Sequence, residues 1–213
     1  TASHDMRSPV NNLLSVFELL DTSKIEDEET LEFVEMIKVA SNGLKETLNS
    51  YVDNINHNDN VSQKLEQLSF EDSLITVTVS IKSLIKNSNA TIESNFKQLQ
   101  TVAFNKVSLE SIFLNLITNS IKYAQVDVAP IISITTHKKE GLKQLVYKDN
   151  GQGFDIENIK DKIFELNQKF HDTSDSKGIG LYLVYHHIQE MGGTIAVESE
   201  VNIGTTFTIT FKE

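Results

Sequence analysis

The sequence lacks several features that would direct its function elsewhere. It contains no cysteine in 213 residues, which excludes disulfide bonds, thiolate metal sites and a catalytic thiol. Lysine and arginine number 19 against 30 acidic residues, and the net charge of −11 disfavours nucleic acid or an anionic membrane as the main partner. No stretch approaches the roughly 18 apolar residues of a membrane span, and no signal sequence opens the chain. A hydrophobic content of 39% is nevertheless enough for a packed core.

The first sixty residues carry helical periodicity. Apolar residues recur at spacings of three and four in two runs, which the polar segment Asp21-Thr22-Ser23 separates. Ser23 and Glu26 fit a capping box, which predicts that the second helix begins there. The periodic positions are Val10, Leu13, Leu14, Phe17 and Leu20, then Leu31, Val34, Ile37, Leu44, Leu48, Tyr51 and Ile55.

These two helices predict a hairpin over residues 1–60. A lone hairpin cannot bury both of its apolar stripes, so it needs a partner surface. A second copy is the simplest partner and would complete a four-helix bundle in a homodimer. The alternative is that the hairpin packs on the rest of its own chain.

Residues 61–213 mix strands and helices without strict alternation. This order predicts an α+β sandwich in which helices cover one face of a mixed sheet. The segment 71–86 fits a helix, although Ile75, Val77, Val79 and Ile81 also alternate as in a strand. The other expected strands are 68–70, 90–96, 101–104, 131–137, 142–148 and a hairpin over 194–211, and the expected helices are 109–123 and 179–191.

One predicted helix carries two asparagines on the same face. Asn115 and Asn119 are four residues apart, and Lys122 follows three residues later. Buried amides are costly without partners, and a hydrated Mg²⁺ beside phosphates is one such partner because it takes oxygen ligands. The alternative is an amphipathic helix whose polar face is simply hydrated.

Two glycine-containing segments follow. Asp149-Asn150-Gly151-Gln152-Gly153 comes after a predicted strand, where a carboxylate can accept a hydrogen bond from an exocyclic amine such as that of adenine, or where the residues form an ordinary turn. Gly178-Ile179-Gly180-Leu181 opens a helix whose N-terminal N–H groups suit a phosphate. The long segment 154–177 before it fits a lid over a nucleotide or a solvated loop. Neither segment is a phosphate-binding Gly-Lys-Ser/Thr loop or a dinucleotide fingerprint.

The most reactive-looking segment, His4-Asp5-Met6-Arg7-Ser8-Pro9, lies almost at the first residue. Ser8 shares a helix face with His4, whereas the adjacent Asp5 does not face it directly. Pro9 lacks an N–H and clashes with the carbonyl of Asp5, so we expect a bend there. The position of His4 suggests a fragment of a protein with a sensor or membrane anchor upstream.

In this order the motifs resemble those of sensor histidine kinases of two-component systems, over essentially the whole chain. His4 to Pro9 resembles the H box and Asn115 to Tyr123 the N box. Asp149 to Gly153 resembles the G1 box. Ile163-Phe164-Glu165 with Lys169-Phe170-His171 resembles the F box, Gly178 to Leu181 the G2 box, and Gly192-Gly193 with Gly204-Thr205-Thr206-Phe207 the closing hairpin. The chain departs from the family at Ser176, where a glycine is common, and at Lys169, near which an arginine is usual.

The resemblance implies a hairpin at 1–60 for dimerisation and phosphotransfer, and a catalytic ATP-binding domain at 61–213. It implies that His4 accepts the γ-phosphoryl group of ATP, while Asp5 assists it and Ser8 orients water for dephosphorylation. Asn119 would hold Mg²⁺ with Asn115 in support, and Asp149 would read adenine. The remaining implied nucleotide-binding residues are Lys122, Tyr123, Gly151, Gly153, Lys169, Lys177, Gly178, Gly180, Leu181 and Thr206.

The implied function is ATP-dependent autophosphorylation followed by transfer to an aspartate in the receiver domain of a response regulator, with regulator dephosphorylation as a further activity. The alternative is a catalytically weak phosphotransfer or scaffold module of a signalling complex. A second rival is an ATPase of the gyrase or heat-shock chaperone type, but those carry a catalytic glutamate where Asn115 stands. We expect the fragment to be cytoplasmic, without membrane contact of its own. His57, His137, His186 and His187 are expected to be surface or packing residues.

Overall fold

We describe the fold from a computed structural model over residues 2–55, 65–139, 141–156, 163–164 and 180–212. The helices are α1 (Ala2–Leu19), α2 (Glu28–Ile55), α3 (Phe70–Ser80), α4 (Lys82–Asn87), α5 (Lys106–Lys122) and α6 (Gly180–Glu190). The strands are β1 (Glu66–Ser69), β2 (Thr91–Asn95), β3 (Thr101–Phe104), β4 (Ile131–Lys139), β5 (Leu142–Asp149), β6 (Thr194–Glu200) and β7 (Gly204–Phe211). None of the helices in these residues is both long and apolar enough to cross a bilayer.

Helices α1 and α2 form the predicted hairpin, and α1 continues through Pro9. The capping box predicted at Ser23 and Glu26 is wrong. Ser23 lies in a short 3₁₀ turn, and α2 begins only at Glu28. Asp27 caps the helix instead, because its Oδ2 accepts a hydrogen bond from the Thr30 backbone N–H at 2.8 Å. A carboxylate also suits the positive end of the helix dipole.

The part of the chain that the sequence predicts to be catalytic, from residue 65 onward, is built on a five-stranded mixed sheet. Its order is β2-β4-β5-β7-β6, in which β2 pairs parallel with β4 and the other pairs are antiparallel. A separate two-stranded ribbon joins β1 and β3. Along β7, Phe207, Ile209 and Phe211 point into the core while the intervening threonines do not. The α+β sandwich with a mixed sheet is therefore confirmed.

The ambiguous segment 71–86 is helical. Val77 and Ile81 are buried at 2% and 0% exposure, whereas Ile75 and Val79 are 50% and 65% exposed. Residues four apart thus share an environment and residues two apart do not, as a helix requires. Ser69 caps α3 by accepting the Asp72 N–H at 3.1 Å.

The hairpin also contacts the catalytic part of its own chain, through the packing of α2 on α5 and α6. Gly43 lies at this crossing: a Cβ atom there would stand 2.6 Å from the Ser111 Oγ and 3.6 Å from the His187 Nε2. Nearer the start of α2, the Glu32 carboxylate accepts hydrogen bonds from the Ser83 backbone N–H at 2.5 Å and from the Ser83 hydroxyl at 2.9 Å. The sequence left open that the hairpin packs on the rest of its own chain, and this packing is present. The predicted boundary near residue 60 lies outside the described residues and stays a prediction.

Candidate functional site

The centre of the candidate site is a carboxylate at the end of β5. Asp149 is 8% exposed. Its Oδ1 accepts the Gly151 N–H at 2.9 Å and the Thr205 N–H at 3.2 Å. Its Oδ2 accepts the Ser120 hydroxyl at 2.9 Å. Three donors from three segments hold the carboxylate as an acceptor with a fixed orientation, which suits a ligand that offers an N–H group.

A fully buried tyrosine lies behind this carboxylate. The Tyr147 hydroxyl is 2.8 Å from the Ser120 Oγ, which is also 3.1 Å from the carbonyl of Leu116. Burial, followed by the charge of Asp149, raises the pKa of Tyr147 well above its usual value, whereas the hydrogen bond with Ser120 lowers it. The tyrosine therefore stays protonated at neutral pH.

The two asparagines predicted as Mg²⁺ ligands share one face of α5, next to the start of α6. The Asn115 Nδ2 donates to the Ser111 carbonyl at 2.8 Å, which commits its amide nitrogen to its own helix. Its Oδ1 faces Gly180, because a Cβ at that glycine would stand 2.9 Å from this oxygen and 3.7 Å from the Asn119 Nδ2. Gly180 therefore allows α6 to begin directly against both amides.

The glycines after Asp149 have a structural reason. Gly153 has a φ of +57°, and a Cβ there would lie 2.0 Å from the carbonyl oxygen of Glu200. A Cβ at Gly151 would lie 2.9 Å from the Tyr123 carbonyl oxygen and 3.0 Å from the Asp149 Oδ1. The loop is thus pressed between the end of α5 and the β6–β7 turn. Any larger residue would displace the backbone that donates to Asp149.

Thr206, predicted as a nucleotide-binding residue, lies on the wrong face of β7. It pairs with Lys148 and so points away from the face that carries Tyr147 and Asp149. Thr205 occupies the inner face instead, is 6% exposed and donates its backbone N–H to Asp149. Side chains alternate along a strand, so a shift of one residue exchanges the two faces.

The structure places Asn115 and Asn119 near Gly180, and Ser120, which follows Asn119, donates to Asp149, whose other oxygen accepts the Gly151 N–H. Lys122 and Tyr123 lie at the end of α5, with the Lys122 Nζ 5.6 Å from the centre of the Tyr123 ring. Leu181 packs against the hydrophobic core. The backbone of α1 includes His4, Asp5 and Ser8, whose side chains are outside the described part of the structure. Lys169, Lys177, Gly178 and His57 also lie outside the described residues.

Sequence reasoning missed Ser120, Tyr147 and Thr205. Ser120 directly follows Asn119, and a serine within a helix usually bonds its own backbone, so its type alone carries no functional signal. Tyr147 lies two residues before Asp149 on the same strand face, which places its hydroxyl near the carboxylate. That spacing was the one available signal.

His187 is a packing residue, as predicted, and it joins the site to the hairpin. It has no exposed surface and lies on α6 against α2 and α5. Burial, and secondarily the charge of His186, lowers the pKa of His187 from 6.5 to about 4. His186, the neighbour whose charge acts on His187, has its Nδ1 3.9 Å from the Glu190 Oε1 on the same helix.

The lowered pKa predicts acid sensitivity. Between pH 6.5 and about 4 the unfolded chain binds a proton at His187 that the folded chain does not, so stability falls as the pH falls through this window. From pH 7.5 to 5 this one group should cost about 2 kcal/mol. Urea unfolding at both pH values checks this. The decrease in the free energy of unfolding from pH 7.5 to 5 should be about 2 kcal/mol smaller in His187→Leu than in wild type, and the same as wild type in His137→Leu. An equal decrease in wild type and His187→Leu would contradict the prediction that His187 is responsible.

The sequence of this chain is similar to those of known proteins. Residues 104–213 match the family model of histidine kinase-, DNA gyrase B- and HSP90-like ATPases, which is more than half of the chain. The chain belongs to this family. Over 99% of its length it is 28% identical to the histidine protein kinase SaeS of Staphylococcus epidermidis, of which it spans 61%. The prediction of a two-component sensor histidine kinase is confirmed at the level of the family.

Solved structures of histidine kinases share the fold of this ATPase-family chain. The crystal structure of full-length ShkA in complex with AMPPNP aligns with a TM-score of 0.63 and 22% identity, covering 99% of this chain and 44% of that one. The Acinetobacter baumannii histidine kinase AdeS aligns with a TM-score of 0.60 and 18% identity, covering 98% and 97%. Both alignments include the hairpin as well as the sheet.

Proposed function

We propose that this chain transfers the γ-phosphoryl group of ATP to His4 and then to an aspartate in the receiver domain of a response regulator. Dephosphorylation of that regulator is the second activity we assign to it. The observation that carries the proposal is the fixed carboxylate of Asp149 beside the Asn115 and Asn119 face. An acceptor for a purine amine and oxygen ligands for a phosphate-bound cation stand at one site. The solved structure of ShkA, which shares this fold, is a complex with AMPPNP, and this supports nucleotide binding by the present chain.

The residues at the site fit Mg²⁺. The Asn115 amide nitrogen is used within α5, which leaves its oxygen toward Gly180, and Asn119 shares that face. Hard cations take such oxygen ligands, so Asn119 would hold the ion with Asn115 in support. When bound, the ion neutralises phosphate charge. Lys122 at the end of α5 adds a positive charge near the phosphates, and Tyr123 is the C-cap residue of that helix.

In the transfer, an unprotonated imidazole nitrogen of His4 attacks the γ-phosphorus. A P–N bond forms, the bond to the bridging oxygen breaks, and ADP leaves. An imidazole with an ordinary pKa near 6.5 is largely neutral at pH 7 and therefore nucleophilic. Asp5 holds or deprotonates the imidazole ring. Ser8 lies one helical turn from His4, where it orients water for the dephosphorylation step.

The packing of α2 on α5 and α6 supports the approach of His4 to the bound nucleotide. His4 and Gly43 are equally far along the chain from the middle of the turn at 20–27. Two helices of equal rise therefore place them at the same level of the hairpin. Gly43 contacts Ser111, one helical turn before Asn115. The catalytic helices thus dock on α2 at the level of the phosphoryl acceptor.

Exposed apolar side chains on the hairpin support a homodimer. Large apolar side chains remain exposed on the hairpin: Leu13 at 43%, Val16 at 62%, Leu19 at 85%, Phe33 at 51% and Ile37 at 48%. Large apolar side chains exposed in this number are unfavourable in water unless a partner covers them. A second hairpin would cover them in a four-helix bundle.

The experiment is incubation with γ-labelled ATP and Mg²⁺. We expect label on the protein that survives alkali and is lost in acid, as a phosphoramidate is. ATP binding without any label would favour the scaffold module. ATP hydrolysis without labelled protein would favour an ATPase of the gyrase or chaperone type, and either result would overturn the proposal.

A further inference from the structure

Three buried oxygens form a chain from the core to the candidate nucleotide site. The Tyr147 hydroxyl is 2.8 Å from the Ser120 Oγ, and the Ser120 Oγ is 2.9 Å from the Asp149 Oδ2. Tyr147 has no exposed surface and Ser120 has 4%. Water therefore has little access to these groups, and their hydrogen bonds must be satisfied within the protein.

The geometry fixes the direction of these hydrogen bonds. A buried, protonated tyrosine has one proton to donate, and the Ser120 Oγ is the acceptor within reach. Ser120 also has one proton, with two acceptors in range: the Leu116 carbonyl at 3.1 Å and the Asp149 carboxylate at 2.9 Å. A bond to an ionised acceptor is the stronger of the two. The protons therefore point from Tyr147 to Ser120 and from Ser120 to Asp149.

Asp149 uses its other oxygen for the backbone. Oδ1 accepts from Gly151 and Thr205, while Oδ2 receives only Ser120 among these three donors. A carboxylate has about four lone-pair sites, so Oδ2 retains capacity toward a ligand. Ser120 thus controls the orientation of the oxygen that remains for the base.

We propose that Ser120 and Tyr147 are positioning residues that hold Asp149 as an acceptor for the 6-amino group of a purine, and so set the preference of this site for 6-amino over 6-oxo bases. This inference rests on the proposed function, since it assumes that the nucleotide base meets Asp149. A 6-oxo base offers an acceptor where the carboxylate needs a donor, and two acceptors facing each other are unfavourable. Loss of the hydrogen bonds from Tyr147 to Ser120 and from Ser120 to Asp149 should therefore weaken the binding of a 6-amino nucleotide more than that of a 6-oxo nucleotide.

The test uses Ser120→Ala, Tyr147→Phe and the double variant in the full chain, with AMPPNP and inosine triphosphate as probes in calorimetry. Tyr147→Phe keeps the ring that packs near Phe207 and removes only the hydroxyl. Ser73→Ala is the matched control, because Ser73 is buried on α3 and its hydroxyl donates to a carbonyl one turn earlier without meeting a carboxylate. Circular dichroism confirms that each variant is folded.

We expect the Kd of AMPPNP to rise about tenfold in Ser120→Ala and about threefold in Tyr147→Phe, since each loses a hydrogen bond that supports a charged group. The Kd of inosine triphosphate should change less than about twofold, because its oxo group gains nothing from the oriented acceptor. The double variant should match Ser120→Ala, since Tyr147 acts through Ser120.

The inference would be overturned if the Kd values of AMPPNP and inosine triphosphate rose by the same factor, or if their ratio in the folded variants equalled that of wild type. Either result would leave the proposed function in place. If Ser120→Ala does not fold, the discrimination ratio of Tyr147→Phe decides. A wild-type chain that binds no AMPPNP would overturn both the inference and the proposed function.

Discussion

Replacing Asp149 with asparagine should raise the Kd for ATP by about 100-fold or more while leaving the chain folded, because a buried donor would face a donor on the base. The Oδ1 position accepts two backbone N–H groups, so the asparagine oxygen must take that place. Its amide nitrogen then replaces Oδ2 and presents hydrogens to the purine amine. Ser120 can redirect its proton to the Leu116 carbonyl, so the fold tolerates the change.

Calorimetric titration with AMPPNP measures this effect. Asp155→Asn is the matched control, since it removes the same charge from the exposed end of the same loop, away from the donors that hold Asp149. The control should bind within about twofold of wild type, as an exposed charge contributes little. Equal affinities for wild type and Asp149→Asn would show that the base does not meet this carboxylate.

Replacing His4 with alanine should remove the phosphoryl acceptor and leave nucleotide binding intact. We expect protein-bound label from γ-labelled ATP to fall by at least about 100-fold, because the imidazole of His4 is the nucleophile of the proposed transfer. AMPPNP affinity should stay within about twofold, since His4 lies on α1 and the nucleotide site is built from α5, β5 and α6. The measurement pairs a labelling time course with a binding isotherm on the same preparation.

His137→Ala is the control for this variant. His137 lies on β4, where its Nε2 contacts the Thr135 hydroxyl at 3.1 Å, far along the sheet from Asp149. It should label like wild type. Full labelling of His4→Ala would place the phosphoryl group elsewhere and reject His4.

The fold followed from the sequence where one pattern dominated. The two periodic runs between Val10 and Ile55 coincide with α1 and α2, and the periodic run that begins at Leu109 lies in α5. The segment 71–86 was ambiguous because β-branched residues fill both patterns, and burial of Val77 with Ile81 decided it. The start of α2 was misplaced because Ser23 and Asp27 are both good caps, and only the hydrogen bond from Thr30 distinguishes them.

The candidate site was predictable only where the order of the motifs indicates the chemistry. Asp149 and the glycines around it also suit an ordinary turn, so they pointed to a nucleotide site only through their order with the other motifs. Thr205 and Thr206 are chemically identical, so the choice between them depends on which strand face meets Asp149. Ser120 and Tyr147 gain their role from a contact between a helix and a strand, which spacing along the chain does not reveal.

The packing of α2 against α5 and α6 could not be read from the sequence either. Gly43 is unfavourable inside a helix by about 1 kcal/mol relative to alanine, so its presence indicates a constraint without naming the partner. The structure supplies that partner: a Cβ atom at Gly43 would stand 2.6 Å from the Ser111 Oγ, so the Ser111 side chain would have to shift. The same contact brings the catalytic helices to the level of His4.

The central claim is that the γ-phosphoryl group of ATP moves to His4. The most direct measurement is site localisation by peptide mapping at neutral to alkaline pH, using tandem mass spectrometry after incubation with ATP and Mg²⁺. We expect phosphate on the imidazole of His4 in the N-terminal peptide. Phosphate on another residue, including Ser8 in the same peptide, or ADP formation with an unmodified chain, would contradict it.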